Sequence, residues 1–192
     1  MKKLILQEFI SVDGFCADRN KTTGFFDGTY NSMEKDVDEH QRKFVENIDL
    51  ILLGTNTYKM FASYWPTASS NDSAVAKLMN SIPKIVFSKS LTGVQWGNHG
   101  NITQVKEDAV THIKKLKEAG DKTMIVWGSI LLAQALLKAN LFDEIQLGLV
   151  PVAIGKGYSL FPEKFEQFHL KLINHKTFSG GTVLHVYKPV LQ

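Results

Sequence analysis

The chain has 192 residues, 44% of them hydrophobic and 21% charged, with a formal net charge of +3. These values are typical of one globular domain, expected here over 1–192, and they argue against disorder. Basic residues are scattered, so nucleic-acid binding has no support, and no apolar run reaches the roughly 20 residues of a membrane span. The first residues carry no signal-peptide pattern, and the single cysteine, Cys16, rules out an internal disulfide. We therefore expect a cytoplasmic protein without nucleic-acid or membrane partners.

Hydrophobic periodicity predicts strands and helices that alternate along the chain and end in two adjacent strands. In chain order the predicted elements are a strand over 3–10, a helix over 33–47, a strand over 50–53, a helix over 55–61, a short helix over 74–80, strands over 84–87 and 102–105, a helix over 107–119, a strand over 124–127, a helix over 130–138, and strands over 145–149, 170–178 and 182–190. Loops are expected between them, including a polar loop after Gly14 and a glycine-containing loop over 151–157.

Two features of this order define the expected fold. Strands interleaved with helices favour a parallel sheet covered on both faces, since each crossover helix packs back onto the sheet. The last two strands are joined at Ser179-Gly180-Gly181, which is a hairpin signal. The sequence therefore predicts a three-layer α/β domain with a mostly parallel central sheet and an antiparallel C-terminal hairpin at its edge.

Small and hydroxyl residues mark three predicted strand-to-helix junctions, at Gly54-Thr55-Asn56-Thr57, Ser88-Lys89-Ser90 and Gly128-Ser129. In a parallel sheet such junctions fall on one edge, where open α/β folds bind ligands, and the N–H groups of a helix N-terminus suit phosphate. One junction alone is better explained as a turn, whereas three together leave the turn and the nucleotide-site interpretations both open. Glycine fingerprints of dinucleotide and ATP sites, paired-cysteine motifs and His-Glu-x-x-His do not occur, so no metal site is expected.

Four motifs occur in the order and spacing of a known family. They are Ser11-Val12-Asp13-Gly14, Leu52-Leu53-Gly54-Thr55-Asn56-Thr57-Tyr58, Val86-Phe87-Ser88-Lys89, and Val126-Trp127-Gly128-Ser129 continued by Leu141-Phe142-Asp143-Glu144, Val150-Pro151-Val152 and Gly155-Lys156-Gly157-Tyr158-Ser159-Leu160-Phe161. On these motifs the whole chain resembles the dihydrofolate reductase superfamily, in particular the reductase domain of the bifunctional riboflavin-biosynthesis deaminase-reductase. The resemblance implies a dihydrofolate-reductase-like fold and an NADPH-dependent reductase.

The resemblance also implies which residues would contact NADPH. Those at the nicotinamide end are Ile10, Val12, Gly14 and Trp127. Those at the pyrophosphate and the adenosine ribose are Gly54, Thr55, Asn56, Thr57, Gly128, Ser129, Ile130 and Leu131. Those at the 2′-phosphate are Ser88, Lys89 and Ser90. The family usually has an arginine where this chain has Thr55, so one charge-assisted contact worth roughly 1.5–3 kcal/mol is missing, and the preference for NADPH over NADH stays open.

Candidates for proton transfer and substrate binding come from the first helix and from loops. The folate branch uses a carboxylate on the first helix, and no residue here matches it cleanly, so a folate substrate is not expected. The candidate catalytic residues are Asp13, Glu34 and Gln41, and the candidate substrate contacts are His40, Phe44, Trp65, Gly155, Lys156 and Gly157. Asp13 also fits a plain Asp-Gly turn, and 155–157 also fits a flexible exposed loop, so both alternatives stay open.

The function implied by the resemblance is reduction of a small heterocyclic substrate by NADPH, most naturally the ribosylamino-pyrimidine intermediate of riboflavin synthesis. The chain begins at the reductase strand and has no zinc-binding motif, so we expect a free-standing paralogue without the deaminase half. The alternatives are a catalytically inactive nucleotide-binding sensor or assembly module and, more weakly, a serine hydrolase. A homodimer formed through the strands over 170–190 is expected from the family.

Overall fold

The structure, a computed structural model, describes residues 3–26, 35–69, 73–120, 122–162, 164, 167 and 169–190. The strands are β1 (Leu4–Ser11), β2 (Phe15–Asp18), β3 (Leu50–Gly54), β4 (Lys84–Phe87), β5 (Ile102–Val105), β6 (Met124–Trp127), β7 (Glu144–Val150), β8 (Gly157–Ser159), β9 (His169–Thr177) and β10 (Val183–Val190). The helices are α1 (Lys35–Val45), α2 (Thr55–Tyr64), α3 (Ala76–Ser81), α4 (Ala109–Glu118) and α5 (Ile130–Lys138), and a short 3-10 helix covers Trp65–Thr67.

Eight of the strands form one sheet in the order β5-β4-β3-β6-β1-β7-β10-β9. The strands from β5 to β7 are parallel, and β10 runs antiparallel to both β7 and β9. This arrangement confirms the predicted parallel sheet with an antiparallel C-terminal hairpin at its edge. β1 lies in the middle, with Leu4 beside Met124 of β6 and Ile5 beside Glu144 of β7.

Helices cover both faces of the sheet, because alternate side chains of its central strands point to opposite sides. On one side, Leu6 packs with α4 and with Leu136 of α5 in a buried cluster. On the other side, Ile5 belongs to a second buried cluster with Val45 of α1 and Met79 of α3. The predicted three layers are therefore confirmed, and we call the two faces the α5 side and the α1 side.

A second sheet of two strands joins β2 to β8 in antiparallel pairing. Both segments were expected to be loops, and that expectation is wrong because strands of four and three residues give no readable alternation. Gly157 is required at this pairing, since a Cβ there would lie 2.1 Å from the carbonyl oxygen of Ala17. We call this two-stranded sheet, which continues from the carboxyl ends of β1 and β7, the flap.

The other predicted elements are confirmed with small shifts at their ends. The helix predicted over 33–47 is observed as α1, and its first two predicted positions lie outside the described residues. The helix predicted over 55–61 continues to Tyr64. Within the described ranges, no helix is long and apolar enough to cross a membrane. In the same ranges, no group of three or more His, Cys, Asp or Glu side chains is arranged to hold a metal ion.

Candidate active site

The three predicted junctions meet at one edge of the sheet, where the neighbouring strands β4, β3 and β6 end. The backbone N–H of Gly54 donates to the Ser129 hydroxyl oxygen at 2.8 Å, and the N–H of Ser129 donates to the Thr57 hydroxyl oxygen at 2.6 Å. The Thr55 hydroxyl donates to the Ser88 hydroxyl oxygen at 2.9 Å. Hydrogen bonds therefore connect all three segments into one structure.

Two helix N-termini open at this edge, those of α2 and α5. Neither has a side-chain cap or an acidic residue in its first turn. By contrast, α4 is capped by Asp108, which accepts the N–H of Thr111 at 2.9 Å. Uncapped first-turn N–H groups carry the partial positive charge of the helix dipole, so the two ends together suit a phosphate or a pyrophosphate.

Gly128 and Ser129 turn the chain from β6 into α5, and both have a left-handed backbone with φ of +55°. Glycine is needed at the first position, because a Cβ on Gly128 would lie 2.9 Å from the hydroxyl oxygen of Thr57. At Gly54 a Cβ would make an ordinary contact, 3.5 Å from the Cβ of Ser129. The close contact between the Thr57 side chain and the turn therefore requires glycine at 128, whereas the contacts of Gly54 do not require glycine.

The segment predicted for the 2′-phosphate follows β4 and leads through a loop into β5, so the prediction of a strand-to-helix junction is wrong here. The Ser88 hydroxyl is buried and also accepts the N–H of Leu91 at 3.3 Å. Because Thr55 donates to the same oxygen, the Ser88 hydroxyl is committed to holding the loop. Ser90 is exposed and lies 3.4 Å from Ser88, oxygen to oxygen.

Lys89 is exposed at this edge and brings positive charge to it. The pKa of Asp108 is lowered mainly by hydrogen bonds from Thr111 and further by the nearby charge of Lys89. Lys89 therefore lies close to the start of α4, and Thr55 adds no charge in place of the family's arginine.

Three of the four residues predicted for the nicotinamide end, Ile10, Val12 and Gly14, lie where β1 enters the flap, and the fourth, Trp127, ends β6. Ile10 is buried on the α5 side, whereas Val12 is 57% exposed although it is apolar. The N–H of Val12 donates to the carbonyl of Val152 at 2.9 Å, and Gly14 takes a left-handed backbone with φ of +87°. At the start of α5, Leu131 is 79% exposed. Val12 and Leu131 thus offer apolar contact to flat rings at this edge.

Asp13 holds the first strand of the flap to the loop before the second. Its carboxylate accepts the N–H of Gly155 at 2.7 Å, the N–H of Ile154 at 3.2 Å and the hydroxyl of Ser11. The hydrogen bond from Ser11 and those from the two backbone N–H groups lower its pKa. Asp13 is therefore ionised at neutral pH and has no proton to donate, which favours a positioning role over that of a catalytic acid.

Gln41 belongs to a buried row of hydrogen-bonded amides on the α1 side. Gln7 and Gln41 exchange two hydrogen bonds of 3.0 and 2.7 Å, and the Trp127 indole N–H donates to Gln7 Oε1 at 2.6 Å. Gln7 also donates to Gln146 at 2.7 Å, and Gln146 donates to the Glu144 carboxylate at 2.6 Å. Each of the three amides both donates and accepts, so the row fixes Trp127 and Gln41 in place.

Two other residues predicted on the first helix are Glu34 and His40. Glu34 lies outside the described residues. The ring of His40 packs edge-on against Phe178, with centroids 5.4 Å apart, and its Nδ1 lies 3.5 Å from Lys176 Nζ. Burial, and then the lysine charges around it, lower the pKa of His40. A neutral His40 therefore faces the C-terminal hairpin.

The remaining predicted substrate contacts lie in two separate places. Phe44 and Trp65 are partly buried at the margin of the α1-side core. Gly155 and Lys156 are exposed in the loop before the flap's second strand, which begins at Gly157. Gly157 is therefore part of a strand, whereas Gly155 and Lys156 remain in an exposed loop, and a ligand role for them stays a prediction.

Two further polar residues close to this edge, Gln7 and Glu8 of β1, have no motif that would indicate them. Glu8 is 6% exposed, and in the described part of the protein its Oε1 has no hydrogen-bond partner. Burial raises the pKa of Glu8 to about 8, and burial followed by the Glu8 charge raises that of the Cys16 thiol in the flap. The sequence signal for Gln7 and Glu8 is that two consecutive polar residues lie between apolar residues of one predicted strand. In a central strand both faces are buried, so both polar side chains must be buried as well.

The sheet order, the open helix ends and the flap define a dihydrofolate-reductase-like α/β protein. The family model of the RibD C-terminal domain matches residues 2–184, and the chain belongs to that family.

Several proteins are similar over nearly the whole chain. Two of them are the uncharacterised proteins YyaP and YwjB of Bacillus subtilis (strain 168). YyaP is 27% identical, and the match covers 97% of this chain and 94% of YyaP. YwjB is 24% identical, and the match covers 96% of this chain and 97% of YwjB. A candidate riboflavin biosynthesis protein from Shewanella sp. PV-4 has a similar solved structure, with a TM-score of 0.79 at 23% identity, covering 98% of this chain and 99% of its own. The diaminohydroxyphosphoribosylaminopyrimidine deaminase/5-amino-6-(5-phosphoribosylamino)uracil reductase of Thermotoga maritima has a TM-score of 0.69 at 13% identity, covering 98% of this chain and 57% of its own. These structural similarities show the shared fold.

Proposed function

We propose that this protein is an NADPH-dependent reductase of a small heterocyclic substrate. The observation that carries the proposal is the pair of uncapped N-termini of α2 and α5, joined through Ser129 at the carboxyl edge of the sheet. Membership of the RibD C-terminal domain family supports reductase chemistry at this edge.

The residues present at the edge fit a dinucleotide. The first-turn N–H groups of the two helices would hold the pyrophosphate, and Gly128 lets the Thr57 side chain pack against the turn that opens α5. The exposed side chains of Val12 and Leu131 would pack against the flat rings at either side. When bound, NADPH supplies the hydride, while the protein supplies position and excludes water.

Selection of NADPH over NADH would depend on Lys89 and Ser90, which are both exposed beside the helix ends. Thr55 contributes no charge, and its hydroxyl is already bonded to Ser88. We therefore propose a modest preference for NADPH, about tenfold, as expected for one charge-assisted contact.

The substrate side would be formed by Trp127 and Gln41. Gln41 is a neutral amide held by Gln7, so it suits a neutral ring with N–H and C=O groups better than a protonated pterin. The Thermotoga protein named above is described as a ribosylaminouracil reductase. A ribosylamino-pyrimidine is therefore the first substrate class to test, with Lys156 available for its phosphate.

The test is a titration of the purified protein with NADPH and separately with NADH, followed by tryptophan fluorescence. We expect saturable binding, with NADPH bound more tightly than NADH. Consumption of NADPH is then measured with ribosylamino-pyrimidines, pterins and simple carbonyl compounds. Absence of binding by either nucleotide contradicts the proposal, and binding without turnover of any substrate favours the sensor alternative.

A cytoplasmic homodimer is part of the proposal. β9 is an edge strand of the sheet, and the hairpin exposes Leu172, Ile173 and Val190 by 48, 50 and 46%. Leu172 and Val190 lie on opposite faces of the hairpin by its register, so a second copy of the chain paired along the β9 edge would cover these side chains. Light scattering on a size-exclusion column measures the mass directly, and a monomer at micromolar concentration contradicts the dimer.

A further inference from the structure

Ser129 occupies a backbone conformation that side-chain-bearing residues rarely adopt, with φ of +55° and ψ of +43°. A non-glycine residue is strained there and persists only where its surroundings hold it. Ser129 is also 9% exposed, so its side chain is turned into the protein and away from solvent. The sequence thus retains a serine at a position where glycine would be free of strain.

The contacts of Ser129 show what the side chain does. Its hydroxyl oxygen accepts the N–H of Gly54, the N-cap residue of α2, at 2.8 Å. Its own N–H donates to the hydroxyl of Thr57, in the first turn of α2, at 2.6 Å. Ser129 is itself the N-cap residue of α5. One residue therefore bonds the start of one helix to the start of the other, in both directions.

The N–H of Ser129 and one acceptor position of its hydroxyl oxygen are used in this link, and its carbonyl accepts the N–H of Ala133 at 2.9 Å. Its hydroxyl does not cap its own helix, which leaves the first-turn N–H groups of α5 open. The N–H of Gly54 is occupied as well, so the groups left for an anion are those of the turns that begin at Thr55 and Ile130. The distance between these two groups of N–H donors is set by the link between the two segments.

We infer that Ser129 is a positioning residue that fixes the distance between the two helix ends, so that one diphosphate can contact both. The inference rests on the proposed function, because NADPH is the diphosphate that would bind there. It assigns to the Ser129 hydroxyl the role of bracing the two helix ends through Gly54.

The decisive variants are Ser129→Gly, which removes the hydroxyl bond to Gly54 and relieves the backbone strain, and Ser129→Ala, which removes the same bond and keeps the strain. Both keep the backbone N–H bond to Thr57. Asn140→Gly is the matched control, since Asn140 at the other end of α5 has φ of +52° and lies away from the site. Thermal unfolding is recorded for each. We expect Asn140→Gly to be as stable as wild type or more stable, and to bind NADPH unchanged.

Affinities are measured for NADPH, for inorganic pyrophosphate and for reduced nicotinamide mononucleotide, which has a single phosphate. Without the hydrogen bond between Ser129 and Gly54, holding the two helix ends together must be driven by ligand binding, so both Ser129 variants should bind NADPH and pyrophosphate about three- to tenfold more weakly. Binding of the mononucleotide should not change. A folding defect would weaken all three ligands alike, and that result would overturn the inference.

The outcomes separate the two proposals. If Ser129→Gly binds NADPH as tightly as wild type, the brace is wrong and the reductase proposal stands. If wild type binds pyrophosphate but not NADPH, and Ser129→Gly weakens pyrophosphate, the brace stands and the cofactor is wrong. If wild type binds neither, both are overturned.

Discussion

Gln7 and Trp127 lie side by side on neighbouring parallel strands, and the indole N–H of Trp127 donates to Gln7 Oε1 at 2.6 Å. The amide of Gln41 donates to the same oxygen at 2.7 Å, so a strand of the sheet, its neighbour and the first helix meet at one atom. The hydrogen bond to Gln7 therefore fixes the indole, and the ring stays half-buried next to Gly128. This explains how a residue before the glycine turn can keep one orientation.

Replacing Gln7 with methionine, which has a similar length but no amide, should remove the partner of the buried Gln41 amide, of the Gln146 Oε1 and of the half-buried Trp127 N–H. We expect Gln7→Met to lower the free energy of unfolding by roughly 2–4 kcal/mol, because each unsatisfied buried group costs about 1–3 kcal/mol and partial relaxation recovers some of it. Urea denaturation measures the change. Gln134→Met is the control, since Gln134 makes one hydrogen bond of 3.1 Å in an exposed setting. Equal stability of the two variants would contradict the role of the amide row.

Glu8 should make the protein less stable as the pH rises. Its ordinary pKa is 4.5, and burial raises the pKa in the folded protein to about 8. Between these values the folded protein keeps a proton that the unfolded chain has released, so a rise in pH favours unfolding. This contribution to stability is complete below about pH 4.5, declines from there to about pH 8, and is lost above it.

The Glu8→Gln variant, which is neutral at every pH, tests this decline. Its stability measured by urea denaturation from pH 5 to 8 should fall less steeply than that of wild type. Glu118→Gln, on the exposed end of α4, controls for removal of one carboxylate and should follow the wild-type curve. Parallel curves for wild type and Glu8→Gln would show that Glu8 is ionised in the folded protein.

Lys89→Ala should weaken NADPH binding by about three- to tenfold and leave NADH binding unchanged, because only NADPH carries the 2′-phosphate. The difference should shrink as salt is added, since an exposed charge pair is screened. Lys138→Ala, in the last turn of α5, removes the same charge at the opposite end of that helix. If Lys89→Ala and Lys138→Ala bind NADPH equally, the 2′-phosphate assignment is wrong.

Asp13→Asn should loosen the flap without unfolding the protein. The amide places an NH2 group where Asp13 now accepts the N–H groups of Ile154 and Gly155, so at least one of these hydrogen bonds is lost. Hydrogen exchange followed by mass spectrometry should show faster exchange over 152–157. Asp49→Asn is the control, because the Asp49 carboxylate accepts the N–H of Thr123 at 2.7 Å at the start of β3, and it should leave exchange over 152–157 unaffected. Unchanged exchange in Asp13→Asn would refute the positioning role.

The parts of the fold that follow from local pattern could be predicted from the sequence. Apolar runs such as 50–53 and 124–127, each ended by glycine, define parallel strands and place their ends on one edge. Glycine at Gly128 and the hydroxyl of Thr57 were identified because such residues are required where a strand turns into a helix. Their mutual contact could not be seen, since it depends on which strands are neighbours.

The parts that depend on distant partners could not be predicted. The Asp-Gly pair at Asp13 looks like an ordinary turn until the loop at Gly155 is brought against it. Likewise, Gln7 and Glu8 are simply polar residues in a strand until the sheet order buries β1 between β6 and β7. Burial then makes one of them the centre of a hydrogen-bonded row and leaves the other without a partner for its Oε1 in the described structure.

The central position of β1 also affects how the chain can reach its fold. β1 is synthesised before both of its neighbours in the sheet, β6 and β7, so Leu4 cannot pair with Met124 until β6 has been made. Until then its backbone donors and acceptors are open on both edges, which is the condition that favours non-native association. Pairing over such a long stretch of chain predicts slow folding of the sheet, with the nascent chain dependent on protection until β7 has emerged.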